Sequence, residues 1–301
     1  MKKEIILLTG GSGFIGRNLI NRLKNEHYQI INLGSGEIEG IENIKVDLAS
    51  VDFSFLDNLE FDYVIHLAAF SSPARSKDEE KTMNLNYRAT EKLLDKVKNK
   101  NLKKFIFTST YLVYKESNSP LTEDSPLSEA GDNYVKSKLL AESACTEAIK
   151  QGVPIVIFRL SNGYGPGQQW RKEDSPTLVP QLICSALADK KIEVFDERPV
   201  RDYVYSEDIS EAIVRTLKSD YTGILNLGTG IGTSVKELAT TISNLTSAKL
   251  DFLNIQRPVP LNLVLDIARL EKVLNWKPST KLTEGLDKTV NYYQQVLRDK
   301  K

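Results

Sequence analysis

The chain has 301 residues, 40 Lys plus Arg against 40 Asp plus Glu, 41% hydrophobic and 27% charged. A zero net charge offers no electrostatic footprint for nucleic acid, and this composition excludes wholesale disorder. No apolar run approaches the roughly 18 residues of a membrane span. The segment before Gly10 is too short for a signal peptide, and Cys145 and Cys184 make neither a metal spacing nor a disulfide framework, so a cytoplasmic setting is expected.

Residues 5–9 form a short apolar run that ends in a glycine cluster. Residues 14–24 then place Ile15, Leu19, Ile20 and Leu23 at helical spacing. Residues 29–33, 44–46, 63–69, 104–109 and 153–158 read as buried strands. Helices are expected between them over 79–98 and 133–150, the second with Asp132 as N-cap and Gly152 and Pro154 beyond its end. This alternation predicts a parallel, doubly wound α/β sheet. Gly, Pro, Gln and Asn over 161–175 predict a loop. Residues 176–189 and 208–218 read as helices, 223–227 as a further buried strand, Ser234 to Glu237 as a capping box, and 282–297 as an amphipathic helix. The expected division is a nucleotide-binding domain over 1–160, a smaller α/β substrate domain over 161–301, and a segment, 202–227, that returns to the first.

Thr9-Gly10-Gly11-Ser12-Gly13-Phe14-Ile15-Gly16 places glycines at 10, 13 and 16, after a strand and opening a helix. Gly10 permits the tight turn, Gly13 lets backbone N–H groups approach a pyrophosphate, and Gly16 lets helix and strand pack closely. Phe14 and Ile15 belong to the same candidate cofactor site. Ribose recognition calls for a carboxylate after the second strand. That strand ends Asn32-Leu33-Gly34-Ser35-Gly36, with Ser35 at its tip and neither a carboxylate nor an arginine for a 2′-phosphate. NAD and NADP therefore both stay open. Asp47 and Leu48, after the third strand, are placed at the adenine.

Tyr134 and Lys138 stand at i and i+4 and share a helix face. A lysine cation beside a phenol favours phenolate and makes Tyr134 a usable acid/base near neutrality. One strand earlier, Phe107-Thr108-Ser109-Thr110 brings a hydroxyl to the carboxyl end of a strand, where a cofactor crevice opens.

With these motifs in hand, the chain resembles an extended short-chain dehydrogenase/reductase of the nucleotide-sugar epimerase/dehydratase family, over about residues 4 to 298. Further segments carry the resemblance: His66-Leu67-Ala68-Ala69, Asn86 to Leu94, Thr108 to Tyr114, Arg201-Asp202-Tyr203-Val204-Tyr205 and Leu274-Asn275-Trp276-Lys277-Pro278. The resemblance implies a Rossmann-type sheet with a smaller substrate domain, NAD or NADP as cofactor, and a nucleotide-diphosphate sugar as substrate. It implies that Tyr134 is the acid/base, that Lys138 lowers its pKa and holds the nicotinamide ribose, and that Thr110 bonds the reacting oxygen. Leu67, Ala68, Ala69 and Asn86 would belong to the cofactor site. Asn162, Thr177, Arg201 and Arg257 would hold the substrate, the arginines gripping its diphosphate. His66 is expected to be structural. No metal and no nucleic acid are implied. A homodimer is expected through the helices over 86–98 and 134–150, with Leu139, Leu140, Ala144 and Ile149 supplying apolar surface.

Dehydratases and decarboxylases of this family tend to follow the Thr with Asp-Glu or Glu, whereas Tyr111-Leu112 follow Thr110. Hydride transfer at C4, by a 4-epimerase or a 4-ketoreductase, is the reaction that remains. A non-catalytic, cofactor-sensing regulator on the same fold is the alternative, which an intact Thr110, Tyr134 and Lys138 disfavours.

Overall fold

The structure is a computed structural model describing residues 3–129, 131–170 and 177–299. Its first half alternates as expected: β1 (Glu4–Thr9), α1 (Phe14–Leu23), β2 (Tyr28–Gly34), β3 (Glu42–Lys45), β4 (Tyr63–His66), α2 (Glu79–Met83), α3 (Ala89–Val97), β5 (Lys104–Thr110), α4 (Asn133–Lys150) and β6 (Ile155–Leu160). The second half holds β7 (Asn162–Tyr164), α5 (Leu178–Asp189), β8 (Lys191–Val194), β9 (Val200–Tyr205), α6 (Ser206–Leu217) and β10 (Gly223–Leu227). It ends with β11 (Gly232–Ser234), α7 (Val235–Thr246), β12 (Lys249–Phe252), β13 (Asn262–Leu263), α8 (Ala268–Leu274) and α9 (Leu282–Arg298).

A seven-stranded sheet runs β10-β6-β5-β4-β1-β2-β3, every ladder parallel. Both faces of its central strands are covered, and all seven residues of β5 are buried, whereas the edge strand β3, read from sequence as buried, is polar and only partly covered. Alternate residues serve opposite faces. Leu8, Ile65 and Ile106 pack with Leu19 and Leu23 of α1, Ile209 and Ile213 of α6 and Leu270 of α8. Leu7, Val64 and Phe105 pack with Leu93 and Val97 of α3 and Ala141 and Cys145 of α4. β1 has β2 on one side and β4 on the other, so the winding direction reverses there. Ligands of open α/β sheets bind at that crevice, beyond the carboxyl ends of the strands.

Strand β9 lies outside the large sheet. It pairs with β7, β11 and β13, while β8 pairs with β12, and α5, α7 and α9 pack around these short ladders. Within 202–227, therefore, α6 and β10 join the large sheet and the end of β9 does not. The capping box is present: Glu237 N–H donates to Ser234 Oγ at 3.1 Å, and Ser234 N–H to Glu237 Oε2 at 2.8 Å.

Several expectations are corrected. The stretch 79–98 is not one α-helix: a π-helical turn over Asn84–Arg88 separates α2 from α3. The strand over 63–69 stops at His66. The loop over 161–175 contains β7, and its residues 171–175, with Pro176, lie outside the described residues. Of the four apolar positions on α4, Leu140 is exposed, while Leu139, Ala144 and Ile149 are half-buried against the chain's own cores. Among the described residues no helix is long and apolar enough to cross a membrane, and none of their His, Cys, Asp and Glu side chains gather in a group that could hold a metal ion.

Candidate active site

A cleft of about 520 Å³ opens at the sheet's switch point. One wall is the loop between β1 and α1. Gly10 turns there at φ +73°, and a Cβ on it would come 2.6 Å from the Ala68 amide nitrogen. A Cβ on Gly16 would come 2.3 Å from the Gly10 carbonyl oxygen, so helix and loop approach only because both positions lack side chains. The N-cap of α1 is Gly13, without a side-chain cap, which leaves the first N–H groups of a ten-residue helix aimed at the cleft. Phe14, Ile15, Ser35, Asp47, Leu48, Leu67, Ala68 and Ala69 continue this wall.

Among the described residues, the buried Ser72 Oγ, Ser109 Oγ and Gln168 Oε1 in the same walls have no hydrogen-bond partner. Buried polar atoms are normally paired. The glycine cradle, the uncapped helix and these orphaned atoms fit a phosphate-bearing dinucleotide with polar groups at its far end.

The floor holds Thr110, at the end of β5, and Tyr134 and Lys138, one turn apart on α4. Asp132 Oδ1 accepts from the Val135 amide at 3.0 Å and starts α4 where both side chains face the sheet. The Thr110 hydroxyl stands close enough to the Tyr134 phenol to favour its phenolate. Burial pushes the Tyr134 phenol up to about 12, and the Thr110 hydroxyl is the partner that opposes this. Burial pulls the Lys138 ammonium down to about 8, against the nearby Glu142 carboxylate. The expected lowering of the phenol by Lys138 is thus corrected. The Lys138 ammonium instead donates to the Thr108 carbonyl at 2.7 Å and stands 4.8 Å from the Phe107 ring centroid.

Asn86 is a second correction, for it is no wall residue of the cleft. Its Oδ1 accepts from the Phe70 amide at 2.8 Å, and its Nδ2 donates to the Phe70 carbonyl at 3.2 Å and to Ser137 Oγ at 3.0 Å. The amide is consumed in bracing the loop after β4 against α4.

A second cavity of about 410 Å³ adjoins the first and shares Asn162, Gly163, Gln168 and Thr177 with it. Arg201 and Arg257 both line it. Arg201 lies on β9 and donates to the carbonyls of Val200 at 2.9 Å and Leu261 at 3.3 Å. Arg257 stands over the Phe195 ring, 4.4 Å from its centroid, while its own amide donates to Asp196 Oδ2 at 3.0 Å.

Residue-type reasoning passed over several groups. Tyr111 stands where the two cavities meet, and its Oη accepts from Asn162 Nδ2 at 2.8 Å. Burial pushes this phenol up, and Arg201 pulls it back. The exposed Phe195 belongs to a strand end that carries no motif of its own. Ser109 and Tyr111 lie inside the 108–114 segment, and adjacency to Thr110 is the sequence signal that points to them.

A profile of the NAD-dependent epimerase/dehydratase family matches residues 6–228. The chain is 28% identical to the UDP-N-acetyl-alpha-D-glucosaminuronate decarboxylase of Bacillus cytotoxicus, over 99% of this chain and 100% of that protein. It is 27% identical to the dTDP-4-dehydro-6-deoxyglucose reductase of Escherichia coli, over 96% and 97% respectively. Its fold superposes on UDP-N-acetylglucosamine 4-epimerase from Methanobrevibacter ruminantium, solved with UDP-N-acetylmuramic acid, with a TM-score of 0.89 and 28% identity, covering 98% of this chain and 100% of that one. The chain therefore belongs to the NAD-dependent epimerase/dehydratase family, among the extended short-chain dehydrogenases/reductases, and is an enzyme of that family.

Proposed function

We propose that this enzyme moves a hydride at C4 of a nucleotide-diphosphate sugar, as a 4-epimerase or a 4-ketoreductase. The observation that carries the reading is the gathering of Thr110, Tyr134 and Lys138, all buried, at the floor of the cleft beside a second cavity that holds two arginines. When bound, the nicotinamide dinucleotide supplies the hydride acceptor or donor. Gly10, Gly13, Phe14, Ile15 and Gly16 hold its phosphates, Ser35, Asp47 and Leu48 its adenosine, and Leu67, Ala68, Ala69 and Lys138 its nicotinamide half. Ser35 at the strand tip, with no arginine beside it in sequence, favours NAD over NADP.

The chain's own part is proton handling and positioning. Tyr134 takes the proton from the sugar 4-hydroxyl, or returns one to the 4-keto oxygen, at its Oη. Thr110 orients that oxygen and stabilises the phenolate through its hydroxyl. Lys138, its ammonium held on the Thr108 carbonyl at 2.7 Å, serves the nicotinamide ribose rather than the phenol. Asn162, Thr177, Arg201 and Arg257 hold the nucleotide and diphosphate, for which guanidinium forks suit the charge and shape. The homodimer is kept as part of this reading, through the α3/α4 face where Leu140 is exposed.

The purified protein's absorbance in the NADH band, followed by turnover of UDP-, dTDP-, GDP- and CDP-sugars with and without added NADPH, tests the reading. A 4-epimerase needs no added reductant, whereas a 4-ketoreductase consumes it stoichiometrically. No C4 chemistry with any nucleotide sugar would overturn both.

A further inference from the structure

His66 is fully enclosed at the end of β4, beneath the glycine loop, and the proton-transfer scheme above makes no use of it. Its hydrogen bonds reach in two directions. Nδ1 is 2.6 Å from Thr9 Oγ1, on the last residue before Gly10. Nε2 is 3.0 Å from Thr90 Oγ1, at the start of α3.

Counting donors assigns the tautomer. Thr90 spends its hydroxyl proton on the Asn86 carbonyl at 2.9 Å, so toward the imidazole its oxygen can only accept. Thr9 Oγ1 already accepts the Ala68 amide at 3.2 Å, which leaves its proton free for the ring. The imidazole is therefore neutral, with the proton on Nε2 and a lone pair on Nδ1. Burial pulls its pKa down to about 3, which agrees.

From Thr90 the chain of bonds continues. Asn86, in the π-helical turn, donates from Nδ2 to Ser137 Oγ at 3.0 Å, and Ser137 donates to the Tyr134 carbonyl at 2.7 Å. Every side chain from Thr9 to Ser137 along this path is buried. The π-helical turn brings Asn86 to face α4, and such turns cluster at functional sites. The path joins the strand that launches the dinucleotide loop to the helical turn that carries the phenol.

We propose that His66 is a positioning residue, which as the Nε2–H tautomer ties the glycine loop to the Tyr134 turn and so sets where the phenol stands over the dinucleotide. This rests on Tyr134 being the proton carrier. Reversing the imidazole would turn the Thr90 hydroxyl away from the Asn86 carbonyl toward Nε2 and leave the Thr9 hydroxyl proton without the ring as its acceptor.

Two measurements test it. The chain has two histidines, and His27 is exposed, so ring 15N NMR of the intact protein resolves His66 directly. The expected spectrum is Nε2–H, unchanged from about pH 5 to pH 9; an Nδ1–H ring, or one that titrates in this range, overturns the assignment. Thr90→Val, which keeps the shape and removes the acceptor, should lower turnover per folded molecule by about 10 to 100-fold, as a small displacement of a reacting group does. The KM for the nucleotide sugar should stay unchanged, and Thr90→Ser should restore turnover. Wild-type turnover in Thr90→Val, or an equal loss in Thr90→Ser, overturns the positioning role. Full turnover in Tyr134→Phe would instead remove the phenol from the chemistry, and it leaves the NMR result and the Thr90 pair to be judged by themselves.

Discussion

Lys138 is a buried cation, and its removal should expose what that burial costs. In the structure its pKa falls from the ordinary 10.5 to about 8, chiefly because burial disfavours the charged form. At about 1.4 kcal/mol per unit, the charged ammonium opposes folding by roughly 3 kcal/mol. Below about pH 8 both folded and unfolded chains carry the proton, and the full penalty applies. Between about 8 and 10.5 the folded chain is neutral while the unfolded chain is still charged, so stability rises with pH. Above the unfolded value the penalty is gone. Lys138→Met keeps the length of the side chain and never carries the charge. It also orphans the Thr108 carbonyl, at about 1 to 3 kcal/mol, so at neutral pH the two terms largely offset. The pH dependence escapes this offset. From about pH 7 to 9.5 the wild type should gain roughly 2 kcal/mol on the variant, about 4 °C in melting temperature at the scale of a chain this size. Thermal melts of both proteins across this range, after any bound dinucleotide has been stripped, make the comparison. A gap between them that does not move with pH refutes a depressed Lys138.

Tyr134→Phe should fold normally and lose about 10² to 10⁴-fold in turnover, the usual worth of positioned acid/base catalysis, as steady-state kinetics with the identified nucleotide sugar would read. Arg257→Ala should raise the KM for the nucleotide sugar by about 10 to 150-fold, from the loss of one charge-assisted contact, and leave kcat and NAD affinity near wild type. Calorimetric titrations with UDP and with NAD⁺ separate those two effects, and a collapse of NAD⁺ binding would reverse the assignment of the cavities. Light scattering at micromolar concentration should give a dimer that Leu140→Glu converts to monomer; a wild-type monomer would remove the helix-face contact.

The parts of this fold that could be read from sequence are those fixed by local, repeating physics. The central strands of the large sheet announce themselves because both faces are buried, and the glycine loop does so because Gly10 and Gly16 sit where a Cβ would strike backbone. The short ladders β7, β9, β11 and β13 carry two to six residues each, too few for a period to show. The π-helical turn escaped because its residues fit α-helical spacing equally well, and what selects the π form is the tertiary demand that Asn86 meet Phe70 and Ser137. For Asn86 the motif marks the position, and only the packing shows where the amide points. For Tyr134 and Lys138 the i, i+4 spacing correctly put both on one face, yet spacing says nothing of Thr108, whose carbonyl draws the ammonium aside.

The residue that follows Thr110 bears on which reaction the site performs. A decarboxylase is among its relatives, and members of the family that eliminate or decarboxylate tend to place a carboxylate there. Here the position is Tyr111, whose Oη is engaged by Asn162 at 2.8 Å and whose proton burial holds in place. Leu112, next along, offers no titratable group. A phenol tied in this way can neither accept the C5 proton nor deliver one to a leaving C6 oxygen near neutral pH. The prediction is that nucleotide hexoses incubated with the enzyme and NAD⁺ give no 6-deoxy-4-keto product, and that any conversion of them preserves the C6 substituent. Mass spectrometry of the product sugar reads both at once. A loss of 18 mass units at rates comparable with C4 interconversion would show that the site has another source for the missing acid and base, and the assignment to simple C4 hydride transfer would fall with it.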